Sequence, residues 1–158
     1  MAMLRRSAVK SKFVDYLQGQ KLRLTHQRRA IIDTVFSTAE HFTAGQLLQW
    51  SRRRDKSVSR ATVYRTLPLL TASGLVREMD FGRDYKFYDP NYADHPDHSH
   101  IVCQDCDGIF EFDSDQIKQV ESEMCRKLGF TVLAHRLQIT GACDEFRRSG
   151  KCARKKGG

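Results

Sequence analysis

The sequence predicts an α+β fold in two domains: a winged helix over residues 1–89, including the wing and the start of a hinge, and an α/β domain over residues 90–158. Three observations predict it. Helical apolar spacing gives way to hairpin spacing before residue 90, short strands flank one long helix after it, and all five cysteines lie in the second half.

Within residues 7–18, Val9, Phe13, Val14 and Leu17 stand at helical spacing until Gly19, giving a first, peripheral helix. Thr25 is the expected N-cap of a second helix whose buried stripe is Ala30, Ile31, Ile32, Val35 and Phe36. Thr43 caps a third around Leu47, Leu48 and Trp50. Ser59 opens a fourth, with Val63, Leu67 and Leu70 inward, Gly74 as its stop and Pro68 as a local bend. Two β-prone runs, 75–80 and 85–89, joined across Phe81-Gly82-Arg83, complete the winged-helix order. Beyond the turn-rich stretch 90–96, strands are expected at 100–103 and 109–112, a helix over 114–128 and a last strand over 130–140.

Two domains within 158 residues would each bury little apolar surface, so staples or oligomerisation are expected. The net charge of +8 is uneven: residues 1–82 carry 15 Lys and Arg against 6 Asp and Glu, whereas residues 84–135 hold 11 acids and 4 bases. The basic half needs an anionic partner, and the acidic stretch suits cations. Residues 1–12 are basic without an apolar core, and no run approaches the ~18 apolar residues of a membrane span. A soluble, cytoplasmic protein without a membrane partner is the expectation.

The segment Ser59-Arg-Ala-Thr-Val-Tyr-Arg sets Ser59, Arg60, Thr62, Tyr64 and Arg65 opposite its apolar stripe. Hydroxyls, a phenol and guanidinium groups on one helix face suit the major groove of double-stranded DNA. Arg23, Arg28 and Arg29, at the entry to the second helix, are placed to reach an adjacent minor groove or its phosphates. A solvated helix with surface arginines has the same pattern.

Cys103-Gln-Asp-Cys106 closes a strand with the spacing at which two thiolates share a tetrahedral ion. A redox pair has the same spacing but normally opens a helix, and here Cys143 and Cys152 follow as a second pair, which favours structural zinc. Such an ion stabilises a small domain by ~10–16 kcal/mol in apparent terms. Cys125, among Val120, Met124 and Leu128, reads as a small core residue. His98-Ser-His100 puts two imidazoles on one strand face, a donor pair for a transition metal or simply two surface histidines.

In order along the chain, Leu24-Thr-His-Gln-Arg-Arg, Ala61-Thr-Val-Tyr-Arg-Thr-Leu, Asp97-His-Ser-His100 and Cys103-Gln-Asp-Cys106 closely resemble the ferric uptake regulator superfamily of metal-dependent repressors. The resemblance implies a homodimer, or a higher oligomer, on palindromic operator DNA. It implies that Tyr64 and Arg65 meet bases or backbone, that Arg23 approaches the minor groove, and that Cys103, Cys106, Cys143 and Cys152 hold structural zinc in a dimerisation domain. It further implies a regulatory metal held by His41, an acidic residue after the wing, His98, His100 and Glu111. One ion bonded to both halves would set two recognition helices to half-sites ~34 Å apart, or a multiple of that.

This chain departs from the pattern at four places. An inserted residue after the wing makes Asp89, not Tyr88, the expected carboxylate ligand. Lys118 stands where relatives place a carboxylate of an additional metal site, leaving His135 without its partner. Asp97 and Ser99 replace a usual histidine and aspartate, so that site reads as vestigial, with His95, Asp97 and His135 its remaining candidate ligands. Cys143 and Cys152 are separated by eight residues, more than usual.

Ferrous iron is the expected co-repressor, with manganese or zinc as surrogate, controlling metal uptake and iron homeostasis. Zinc-uptake and peroxide-responsive repressors of the same superfamily are the alternatives. An all-nitrogen-and-oxygen regulatory set argues against a dedicated zinc sensor, because no spare cysteine lies near His41 or Asp89. A hydrolytic zinc enzyme would need an H-E-x-x-H or H-x-E…C-x-x-C pattern, which is absent, so no enzymatic activity is expected. An RNA-binding protein would need clustered exposed aromatics for base stacking, which the acidic cysteine region lacks, and the helix order of the basic half favours duplex DNA.

Overall fold

The computed structural model of the chain describes residues 2–90 and 98–153, with side chains from Ala8 onward. The chain divides into two compact units, Met1–Asp94 and His95–Gly158.

The first unit runs α1 (Ala2–Gly19), α2 (His26–Val35), β1 (Phe42–Thr43), α3 (Ala44–Arg54), α4 (Arg60–Ala72), β2 (Arg77–Met79) and β3 (Phe87–Asp89). The caps are the hydroxyl residues expected. Thr25 accepts from the Arg28 N–H, Thr43 forms a reciprocal capping box with Gln46, and Ser59 accepts from the Thr62 N–H. Gly74, at φ 72°, adopts the left-handed conformation that closes the helix end after α4. Pro68 lies inside α4 without ending it. One core joins the four helices: Phe13 and Leu17 of α1, Ile31 and Val35 of α2, Leu47 of α3, and Val63, Leu67 and Leu70 of α4 are buried together. Fully burying an aliphatic side chain of this size contributes roughly 1.5–3 kcal/mol.

A three-stranded antiparallel sheet in the order β1-β3-β2 forms the wing. The strands of the hairpin are shorter than the sequence suggests, and β1 was not expected at all. With only two residues, β1 has no alternation to detect, and the register Phe42 with Tyr88 is held by ring stacking at 5.8 Å.

The second unit comprises β4 (Ser99–Cys103), β5 (Ile109–Phe112), α5 (Asp115–Lys127), β6 (Gln138–Gly141) and α6 (Asp144–Ser149). Its sheet has the order β5-β4-β6, with β4 antiparallel to β5 and parallel to β6. Among the described residues, the last strand is shorter than expected: only residues 138–141 pair. Phe130, Val132 and Leu133, which carry its apolar signal, are exposed, Leu133 at 94%. Cys125 is only partly buried, and Val120, Met124 and Leu128 around it are exposed, so the apolar face of α5 is not a core within this chain.

Candidate metal centres and nucleic-acid interface

On α4, packing of Val63, Thr66, Leu67 and Leu70 into the core leaves Arg60, Tyr64 and Arg65 exposed, with Tyr64 at 55%. A guanidinium pair flanking a phenol on one outward face is a donor-rich surface for base edges and phosphates. Arg23 is also exposed, and its carbonyl accepts a hydrogen bond from Arg28 Nη1 at 2.8 Å, so that guanidinium fixes the backbone at the entry to α2. Ser59 and Thr62 behave differently. Both are partly buried and bonded to each other and to Gln27, a residue the sequence analysis did not single out.

In the second unit one sulfur donor from each of Cys103, Cys106 and Cys143 lies within 4.8 Å of the others. Cys103 ends β4 and Cys106 follows it in a tight turn, while Cys143 caps α6. The eight-residue gap to Cys152 is folded: α6 ends at Gly150 in the left-handed conformation, at φ 68°. That turn brings Cys152 Sγ to 3.6 Å from Cys143 Sγ. No helix was expected inside this gap, because six residues are too few to show a helical period.

Burial opposes ionisation of Cys103, but backbone N–H groups of Cys106 and Asp105 outweigh it and hold that thiol below its ordinary range. Burial pushes Cys106 up to about 12, and the neighbouring Cys103 and Cys152 sulfurs add to it. Several thiolates this close repel one another unless a dication sits among them, so the donor set fits tetrahedral zinc.

A second donor set is free of sulfur. Donor atoms of His98, His100 and Glu111 lie within 4.8 Å of one another. His98 and His100 meet edge to face at 4.6 Å between centroids, His98 Nε2 is 3.7 Å from Glu111 Oε1, and Glu111 is the cross-strand partner of His100. The alternation across Ser99 produces this: His98, just before β4, and His100 within it lie on one side of the extended segment and Ser99 on the other. Two imidazoles and a carboxylate suit a divalent transition metal.

In the first unit, His41 immediately precedes β1, and Asp89 ends β3 fully buried. Its neighbour Tyr88 faces the other way, donating its hydroxyl to Glu78 Oε2 at 3.3 Å. A buried carboxylate requires a cation or donors, and the Tyr88 hydroxyl is bonded to Glu78.

His135 corrects an expectation. It does not lack a carboxylate: its Nδ1 contacts Glu121 Oε2, one turn beyond Lys118 on α5, and its Nε2 is 3.0 Å from Ser99 Oγ. Lys118 instead pairs with Asp113 at 2.7 Å. Both imidazole nitrogens are therefore engaged by protein groups, and an ion there would have to displace one of them. His95 and Asp97, the other candidates for the additional site, lie outside the described residues.

The model of the ferric uptake regulator family matches residues 19–140, from the end of α1 into β6. The chain belongs to the ferric uptake regulator family. It is 35% identical over 130 residues to the ferric uptake regulation protein of Synechococcus elongatus, covering 80% of this chain and 87% of that one. It is 32% identical over 134 residues to the peroxide-responsive repressor of Staphylococcus epidermidis, covering 85% and 87%. Among solved structures it is similar to the Vibrio cholerae ferric uptake regulator, with a TM-score of 0.69 at 27% identity over 80% of this chain and 96% of that one. The family member described here is a metal-dependent transcriptional regulator with the predicted α+β architecture. No helix among its described residues is long and apolar enough to cross a membrane.

Proposed function

We propose that this chain is a non-catalytic, cytoplasmic repressor that binds palindromic operator DNA as a homodimer when ferrous iron occupies a regulatory site, and that it thereby controls metal-uptake genes. The observation that carries this reading is the separation of donor chemistry in the second unit. Four cysteines gather at the end of β4, and His98, His100 and Glu111 gather across β4 and β5 without a sulfur among them. Soft thiolates retain zinc, while imidazole and carboxylate groups hold a more exchangeable ion. Zinc at Cys103, Cys106, Cys143 and Cys152 would supply structural cross-linking. His41 and Asp89 are the further ligands expected at the regulatory site.

The exposed apolar face of α5, with Phe130 and Leu133 beyond it, supports the dimer, since a surface of this kind marks an interface in a soluble chain. Domain roles follow: residues 1–89 bind DNA and residues 90–158 bind metal and dimerise. Fluorescence anisotropy of a duplex selected from random DNA tests the reading. The chelator-stripped protein reloaded with ferrous iron should bind it, and the stripped protein should not.

A peroxide-responsive repressor is the second reading, favoured by the carboxylate at position 89 and by identity to such a repressor nearly equal to that of the iron-named relative. Peroxide treatment of the iron-loaded protein would then add oxygen to His41 or His98, visible by peptide mass spectrometry.

A further inference from the structure

Gln27 lies in the block Leu24-Thr-His-Gln-Arg-Arg, and neither metal binding nor base reading has made use of it. Its side-chain oxygen accepts two hydrogen bonds from the entry of α4: the Ser59 backbone N–H at 3.2 Å and the Thr62 hydroxyl at 2.6 Å. Ser59 Oγ in turn accepts the Thr62 N–H at 3.1 Å and lies 2.8 Å from Thr62 Oγ1. Counting protons fixes the direction of that last contact. A hydroxyl has one proton to donate. The Thr62 proton goes to Gln27, so the Ser59 proton goes to Thr62. While this cluster stands, neither hydroxyl can donate to a base edge or a phosphate.

The same block holds a second tie. His26 Nδ1 and Asp55 Oδ2 are 2.8 Å apart, and Asp55 accepts the Ser57 N–H and hydroxyl at 2.9 and 2.7 Å. The start of α2 is thus bonded both to the turn between α3 and α4 and to the first turn of α4. Arg60, Tyr64 and Arg65 project from that anchored turn.

We infer that Gln27 is a positioning residue for the DNA-reading helix, and that Ser59 and Thr62 serve this clamp instead of contacting bases. The inference rests on α4 being the reading helix. Base contacts need side chains held to within ~0.5 Å, which only a rigidly seated helix provides. Gln27 ties both the N-cap residue and the third helical residue to α2, so its removal loosens the turn from which the reading groups project.

The test uses the manganese-loaded full chain and a duplex recovered from random-sequence DNA with the wild-type protein. Gln27→Met keeps the side-chain length but removes the acceptor, and Thr62→Val removes the donor. Each should weaken binding about fivefold to tenfold, the effect of one or two lost hydrogen bonds at a partly buried site. The double variant should bind no more weakly than the weaker single, because both act through the same clamp. Thr62→Ser should bind like the wild type. Hydrogen exchange at the Ser59 amide should accelerate in Gln27→Met and stay slow in Gln27→Glu, which keeps the acceptor. Additive losses in the double variant, or loss of discrimination at one base pair in Thr62→Val while Gln27→Met binds normally, would make Thr62 a base reader and overturn the inference. If the wild type selects no duplex, the assignment of α4 as reading helix fails, while Ser59 exchange still decides whether Gln27 holds that helix.

Discussion

Asp105, between the two cysteines of the first pair, accepts the Arg147 guanidinium on both carboxylate oxygens, from Nε at 2.9 Å and Nη2 at 3.4 Å. It also accepts the backbone N–H of Cys143 at 2.9 Å. Arg147 belongs to the residues inserted between Cys143 and Cys152, so one carboxylate ties that insertion to both cysteine pairs. The Arg147 bonds hold the Asp105 carboxyl below the usual carboxylate range.

The two halves of this contact differ in strength. Arg147 is 59% exposed, where water screens an ion pair, while the Cys143 backbone N–H is a fixed donor to a charged acceptor. In chelator competition, Arg147→Ala should speed zinc loss by less than about fivefold. Asp105→Ala should speed it about tenfold or more. The reverse ranking would show that the guanidinium, not the Cys143 amide, is what Asp105 holds in place.

Tyr64→Ala and Arg65→Ala should each weaken operator binding by ~1–3 kcal/mol without changing the oligomeric state, as expected for groups that touch base edges. Arg23→Ala should weaken specific and non-specific duplexes alike and reduce the salt dependence by about one counterion. Anisotropy titrations at several salt concentrations separate these outcomes, and unchanged affinity in both α4 variants would remove that helix from the interface.

Val120, Met124 and Leu128 are exposed on one side of α5. A charge there costs a dimer interface much more than it costs the isolated chain, which does not bury these residues. Met124→Glu should therefore shift sedimentation from dimer to monomer at micromolar concentration while the zinc content stays unchanged. A dimer that persists with Met124→Glu and Val120→Glu combined would place the interface elsewhere.

Tyr88 gives a pH signature of the wing. Burial, and then the Glu78 carboxylate beside it, raise its hydroxyl from 10.0 to about 12. The folded state thus favours the neutral phenol. Its contribution to stability is complete below about pH 10 and is lost as pH rises toward 12. In a near-ultraviolet titration, a tyrosine ionisation near pH 12 should be present in the wild type and absent in Tyr88→Phe. An unchanged titration curve in Tyr88→Phe at high pH would contradict the buried pairing with Glu78.

The helices and their caps were legible because Thr25, Thr43 and Ser59 sit directly before strong apolar stripes, where a hydroxyl can satisfy an exposed helix N–H. The pairings of Cys103 with Cys106 and of His98 with His100 were legible because their spacing is local: three apart in a turn, or two apart along an extended segment. Contacts across sequence left no such mark. Nothing in the order of residues says that Gln27 reaches Thr62, 35 positions away, or that Glu121 reaches His135 while Lys118 turns to Asp113. The apolar run around Phe130 suggested a buried strand for a related reason. Hydrophobicity marks what a residue avoids, water, without saying whether its cover comes from the same chain.

On the proposed function, an ion at His98, His100 and Glu111 governs DNA binding independently of zinc at the cysteines. Operator affinity measured against buffered free manganese, for the wild type and His98→Ala with zinc content assayed in parallel, tests it most directly. The wild type should bind DNA more tightly as manganese rises. His98→Ala should keep its zinc and show no such response. An equal manganese response in the two proteins would place the sensing site elsewhere.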